Sequence, residues 1–221
     1  MKIYYLWNFK PGEKNKVPQK MLDNNKKYID SYEIITKKDF ETILEKENLF
    51  QEFPKLQQLI SKIPKWIILT DLARLVLIYT YGGLYCDIDC IIRKPIPFWE
   101  NKDKVYVFEE KIVMDTRMLG PREKKTDMYK LRIANYCFGT TIKKHEFFKE
   151  VIEECILRLE KLIQEYGNRD DEWTQHDILW CCGPDVITTL YHEKENKNIF
   201  HLFDKSHLHH LCLSSWREKR K

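Results

Sequence analysis

Residues 70–90 read TDLARLVLIYTYGGLYCDIDC, and this stretch decides the fold class. Leu72, Leu75, Val76 and Tyr79 recur at helical spacing, which predicts a helix over 71–80 with Thr70 or Asp71 as its N-cap. Gly82-Gly83 is a stop signal. LYCDID (84–89) then reads as a strand whose continuation ends at Pro95 and Pro97. A helix delivered through two glycines into a strand is the repeating unit of an α/β sheet.

The flanking chain extends that pattern. Residues 2–8 (KIYYLWN) and 31–36 (SYEIIT) read as strands, and 39–48 and 54–62 as helices. Residues 104–110 and 135–142 are further strands. The clearest helix is 144–166, where Phe148, Val151, Ile152, Cys155, Leu159, Leu162 and Ile163 form one apolar stripe. A helix near 184–192 and a short strand near 199–203 follow. Strands alternating with helices predict an α/β sandwich with a largely parallel central sheet. Residues 111–130 are polar and weakly patterned, either a surface loop over a site or an insertion. There is no internal repeat and no low-complexity segment.

Length and composition narrow the class. At 221 residues, 43% apolar and 33% charged, the chain is long enough for one substantial core and too apolar for disorder. A single domain over 1–221 is expected, ending in a basic tail at 217–221. The net charge of +4, from 38 basic and 34 acidic residues, is too balanced to point to nucleic acid. Seven cysteines lie in apolar segments without zinc-framework spacing, Cys86 and Cys90 lacking a second pair. They read as reduced, buried thiols. The N-terminus is too weakly apolar for a signal peptide and nothing approaches a membrane span, so a cytoplasmic location is expected.

The acidic pair carries the chemistry. Residues two apart on a strand share a face, which puts the Asp87 and Asp89 carboxylates side by side with Ile88 opposite. Adjacent carboxylates repel unless a cation lies near them. Hard oxygen ligands suit Mn²⁺ or Mg²⁺, with positions left open for phosphate oxygens. Ligands collect at strand ends in α/β sheets, so a metal–diphosphate site is expected here. The simpler alternative is a pair of exposed acids in a turn.

The arrangement D-L-A-R followed by YTYGGLYCDID resembles the core motif of D-x-D glycosyltransferases of family 32, the initiating α-1,6-mannosyltransferase and capsular type. Asp71, Arg74, Tyr85, Asp87 and Asp89 are also spaced as in the glucosyltransferase domains of clostridial toxins. IYYLW near the start, CCGPDVIT (181–188) and HHLCLSSW (209–216) resemble the family's first strand, its G-P segment and its C-terminal ending, in the same order. The ending departs from the family in having Ser214 where a glycine often precedes Ser-Trp.

The resemblance implies a GT-A fold and metal-dependent, retaining transfer of a sugar from a nucleotide donor, a UDP-sugar favoured over GDP-mannose. The acceptor would be a glycan, protein or lipid. It implies that Trp7 stacks on the donor base, that Asp71 and Arg74 hold the donor sugar, and that Tyr85 and Asn135 lie beside it. Asp89 and Asp87 would bind Mn²⁺ or Mg²⁺. His210 or His209 with Ser215 would complete the metal or diphosphate contacts, and Trp216 would hydrogen-bond phosphate. Plain structural roles compete: Trp7 and Tyr85 as core, Asp71 as an N-cap paired with Arg74, Asn135 as a turn residue. A metal-dependent phosphoesterase and a non-catalytic sugar-binding module are the rival functions.

Overall fold

In a computed structural model of the chain, residues 2–12, 14–97, 103–112, 131–167, 169 and 172–212 are described. The strands are β1 (Lys2–Trp7), β2 (Ser31–Thr36), β3 (Gly83–Cys86), β4 (Cys90–Ile92), β5 (Val105–Ile112), β6 (Leu131–Thr140), β7 (Phe200–Phe203) and β8 (Leu208–His210). The helices are α1 (Gln19–Asn25), α2 (Lys37–Lys46), α3 (Leu49–Glu52), α4 (Pro54–Ile60), α5 (Trp66–Tyr81), α6 (Glu146–Tyr166), α7 (Gln175–Cys181) and α8 (Pro184–Glu193).

Six strands form one sheet in the order β2-β1-β3-β6-β5-β7, and β4 pairs with β8 in a separate ribbon. β1 runs parallel to β2 and β3, and β5 parallel to β7, while β6 runs against both its neighbours. The expected mostly parallel α/β architecture is present, with one reversed strand at its centre.

The two-residue period of the strands builds a core on each face. Tyr4, Leu6, Tyr85, Val105 and Val107 face the larger cluster with α5 and α6, whereas Ile3, Tyr5, Leu84, Tyr106 and Phe108 face the smaller one. Among the described residues no helix is long and apolar enough to cross a membrane.

The opening stretch folds somewhat differently from its reading. α5 begins at Trp66 and its N-cap is Lys65, without a side-chain cap. Thr70 instead donates its hydroxyl to Trp66 O at 3.1 Å, within the helix. Every residue from Ile67 to Thr80 is buried. A helix covered all round has no polar face, so its apolar stripe fixed neither its start nor its cap. Asp71 and Arg74 therefore sit in the middle of a buried helix.

Gly82 ends α5 at φ 66°. A Cβ on Gly83 would come within 2.8 Å of Lys2 O and 2.9 Å of the Tyr4 ring, so β3 can lie against β1 only without a side chain there. β3 stops at Cys86, and Asp87-Ile88-Asp89 is a turn closed by Cys90 N–H donating to Asp87 O at 3.0 Å. The predicted strand over 84–89 and its shared face are thus corrected.

Other boundaries move by a few residues. α2 starts at Lys37 because Thr36 and Asp39 form a capping box. β5 continues to Ile112 and β6 begins at Leu131, while 113–130 lies outside the described residues.

Candidate active site

α5 carries Asp71 and Arg74 one turn apart, on the same side of the helix. Arg74 Nη2 lies 2.8 Å from Asp71 Oδ1, and each side chain is only 6% exposed. Two buried charges persist only if paired and hydrogen-bonded, and the surroundings supply both. Arg74 Nη1 donates to Asn135 O at 2.7 Å and lies 3.5 Å from Asp87 Oδ1. Its guanidinium carbon stands 5.0 Å from the centre of the Tyr85 ring, a cation–π distance. Arg74 Nε is buried without a hydrogen-bond partner. A buried donor of this kind is what an incoming ligand oxygen would satisfy.

A distortion in β6 supplies the next residues. Phe138 pairs with Val107 and Ile133 with Glu109, so Ala134–Cys137 stand opposite Phe108 alone. Irregular pairing of this sort re-aims side chains. Asn135 Nδ2 donates to Asp71 Oδ1 at 3.3 Å. Tyr136 O accepts from Asp87 N–H at 2.7 Å, and the Tyr136 hydroxyl donates to Glu109 O at 3.2 Å. Asn135 is therefore a strand residue, not a turn residue.

The acidic pair is held from two sides. The Tyr85 hydroxyl donates to Asp87 Oδ1. From the other side, the β4–β8 ribbon sets Cys90 opposite His210, and Leu211 N–H donates to Asp89 O at 3.1 Å. His210 Nε2 then lies 3.3 Å from Asp89 Oδ1 and 3.8 Å from Asp87 Oδ2. Asp89, Cys90 and His210 each offer one ligand atom, all within 4.8 Å of one another. His209 pairs with Ile91 and is exposed.

Burial dominates the electrostatics. It pushes the Asp71 carboxyl up to about 7, against the pull of Arg74 and with a further push from Asp87. Burial also raises Asp87, opposed by Arg74 and the Tyr85 hydrogen bond, with Asp89 adding to the rise. His210 is lowered by burial, but its hydrogen bond to Asp89 and the charges of Asp87 and Asp89 carry it above its usual value. Beyond burial, Asp87 and its carboxylate neighbours repel one another, a repulsion that a cation would relieve.

A cavity of about 410 Å³ opens over these groups. Trp7, Asp71, Arg74, Tyr85, Asp87, Asp89, Asn135 and His210 all line it. Trp7 is half-buried at the end of β1 and donates its indole N–H to Asn15 O at 2.9 Å, so it is not a closed core residue. Tyr85 is 2% exposed, and its ring is core while its hydroxyl serves Asp87. Ser215, Trp216 and the basic tail lie outside the described residues. Tyr136 and Glu110 also line the cavity and carried no signal in the sequence, whereas Pro184, which lines it too, belongs to the G-P segment. Cys90 was set aside there for want of a second cysteine pair, whereas its neighbour is a histidine brought in by β8. None of the seven cysteines is in a disulfide, and of the seven only Cys212 is exposed.

Residues 11–117 match the model of the family described as "Glycosyltransferase sugar-binding region containing DXD motif". The initiation-specific alpha-1,6-mannosyltransferase of Saccharomyces cerevisiae is 33% identical over 61 residues, 28% of this chain and 13% of that protein. The Candida albicans protein of the same name is 26% identical over 162 residues, covering 68% of this chain and 40% of that protein. The chain thus spans less than half the length of these curated relatives. The solved PaToxG Glycosyltransferase superposes with a TM-score of 0.52 at 19% identity, over 87% of this chain and 69% of that one, a likeness of fold.

Proposed function

We propose that this chain, whose residues 11–117 match the model of the glycosyltransferase sugar-binding region containing a DXD motif, transfers a sugar from a nucleotide donor to an acceptor. The reaction uses a divalent cation, Mn²⁺ or Mg²⁺, and retains configuration at the anomeric carbon. One observation supports this reading above the rest: residues from four distant stretches, Trp7, Asp71–Asp89, Asn135 and His210, line one cavity.

Each group has a task that its chemistry fits. The indole face of Trp7 takes the donor base. Asp71 and Asn135 hold sugar hydroxyls, the one as acceptor and the other as donor or acceptor. Arg74 sets fixed positive charge where the leaving diphosphate gathers negative charge, with Nε available to an oxygen. Tyr85 orients Asp87. Two carboxylates and an imidazole within 3.8 Å suit a divalent cation, and Asp87, Asp89 and His210 would hold it. When bound, the cation supplies Lewis-acid stabilisation of the diphosphate. Ser215 and Trp216, outside the described residues, would contact the diphosphate by the resemblance of the C-terminal segment alone. UDP-sugars are the first donors to try, and GDP-mannose the second because the curated relatives are named as mannosyltransferases.

The test is nucleotide release from a panel of UDP- and GDP-sugars with Mn²⁺, repeated after EDTA and with Asp89→Ala. Release with one donor, lost on chelation and in the variant, is the expected outcome. Phosphoester cleavage without sugar transfer, or binding without turnover, would replace the proposal with one of its rivals.

A further inference from the structure

We propose that Asp89, Cys90 and His210 form a mixed oxygen–sulfur–nitrogen site for a thiophilic divalent cation of the Zn²⁺ class. The inference shares Asp89 and His210 with the cation reading above and rests on it only for the location. Its new element is the sulfur.

The geometry comes from the ribbon. Cys90 and His210 are directly opposed on β4 and β8, and opposed residues of an antiparallel pair bring their side chains together. Asp89 adds its carboxylate from the adjoining turn, 3.3 Å from His210 Nε2. The three ligand atoms lie within 4.8 Å of one another, a spread that small side-chain movements can draw onto one ion.

His210 is oriented for this role. The Cys212 sulfur lies 3.5 Å from Nδ1, on the far side of the ring from Asp89. The Tyr136 ring packs 4.3 Å from the imidazole, centre to centre. A partner on one nitrogen and a packed ring leave the other nitrogen aimed at the site, as outer-shell groups do in metal centres. The buried Cys90 thiol is hydrogen-bonded with Cys86 and lies 3.9 Å from Tyr136 O, contacts that a bound metal would replace.

Ligand softness then separates two kinds of cation. Carboxylate oxygens suit Mn²⁺ and Mg²⁺, whereas a thiolate and an imidazole select Zn²⁺ and Co²⁺. Asp89, Cys90 and His210 would supply three ligands to such a cation, with a further position left to water or a diphosphate oxygen. As the sulfur–metal bond forms, the Cys90 S–H proton passes to water. A hard cation engages Asp87 and Asp89 and leaves the thiol out. A soft cation sits towards Cys90, so the two compete for Asp89 and His210.

The full chain titrated with Co²⁺ tests this by absorption spectroscopy. A thiolate-to-cobalt charge-transfer band in the near ultraviolet is expected, displaced by equimolar Zn²⁺ and not by equimolar Mn²⁺. Cys90→Ser, Cys90→Ala and His210→Ala should each lose the band, while Cys137→Ser and Cys155→Ser keep it. Absence of the band in the wild-type chain, or its persistence in a folded Cys90 variant, overturns the proposal. Mn²⁺ binding followed by loss of the free-ion resonance signal separates the two readings. Mn²⁺ uptake without a cobalt band sinks only the sulfur site, and neither signal sinks both.

Discussion

Asp71 and Arg74, one turn apart on a helix buried on every side, form an ion pair of 2.8 Å in which each side chain is 6% exposed. The pair is then tied to the sheet through Asn135 O and Nδ2. Removing one member strands the other charge in a low-dielectric interior. Arg74→Ala should therefore cost about 3–5 kcal/mol of stability, the usual scale for breaking a buried pair. Urea denaturation measures this, and a loss under about 1 kcal/mol would mean that water reaches Asp71 freely.

Asp71 also sets a pH signature. Its carboxyl is pushed up to about 7 when folded, against 3.8 without the fold. The folded chain keeps a proton that the unfolded chain gives up, so this group's contribution is complete below 3.8 and lost as pH rises through about 7. The stability of the wild-type chain relative to Asp71→Asn should accordingly fall across that window. Parallel stability–pH curves for the two proteins would show that Asp71 is ionised throughout.

Trp7 separates stacking from structure. Trp7→Ala should weaken nucleotide-sugar binding by roughly 1–3 kcal/mol, the scale of base–aromatic stacking. Its stability loss should stay below the ~3–5 kcal/mol of a fully buried aromatic, because the ring is half-buried. Trp7→Phe keeps a flat ring but drops the indole bond to Asn15 O. Calorimetry should find Phe closer to wild type than to Ala, and the reverse order would make the Asn15 bond the important contact.

The two adjacent histidines on β8 have opposite expectations. His210 Nε2 faces Asp89 and Asp87, whereas His209 is exposed. His210→Ala should sharply weaken Mn²⁺ binding and His209→Ala should leave it unchanged. Equal affinities in wild type and His210→Ala would confine the cation to the two carboxylates.

The legibility of the chain followed the range of its interactions. β1, β2 and α6 were readable because their periodicity and turn signals are local. The motif 71–89 pointed to residues that the fold brings to one cavity, yet part of its geometric argument was wrong. Asp87 and Asp89 meet through a turn rather than a strand face, and a D-x-D spacing is compatible with both. α5 was cut short because a helix buried all round shows no polar side to mark its limits. β8 was missed altogether and β4 was read only as the continuation of the strand before it: three-residue strands have almost no pattern of their own and exist because of each other. Asn135 owes its place to the irregular β5–β6 pairing, which depends on a partner strand that the local sequence does not describe.

The β4–β8 ribbon imposes an order on how the site comes into being during synthesis. The sheet strands β1, β3, β5 and β6, the buried pair on α5 and the Asn135 clamp are all complete before β8 has been translated. The imidazole that faces Asp89 is among the last described residues to leave the ribosome. A polypeptide released before β8 lacks that imidazole. Capture of a cation with His210 contributing therefore marks a chain that has been translated past β8.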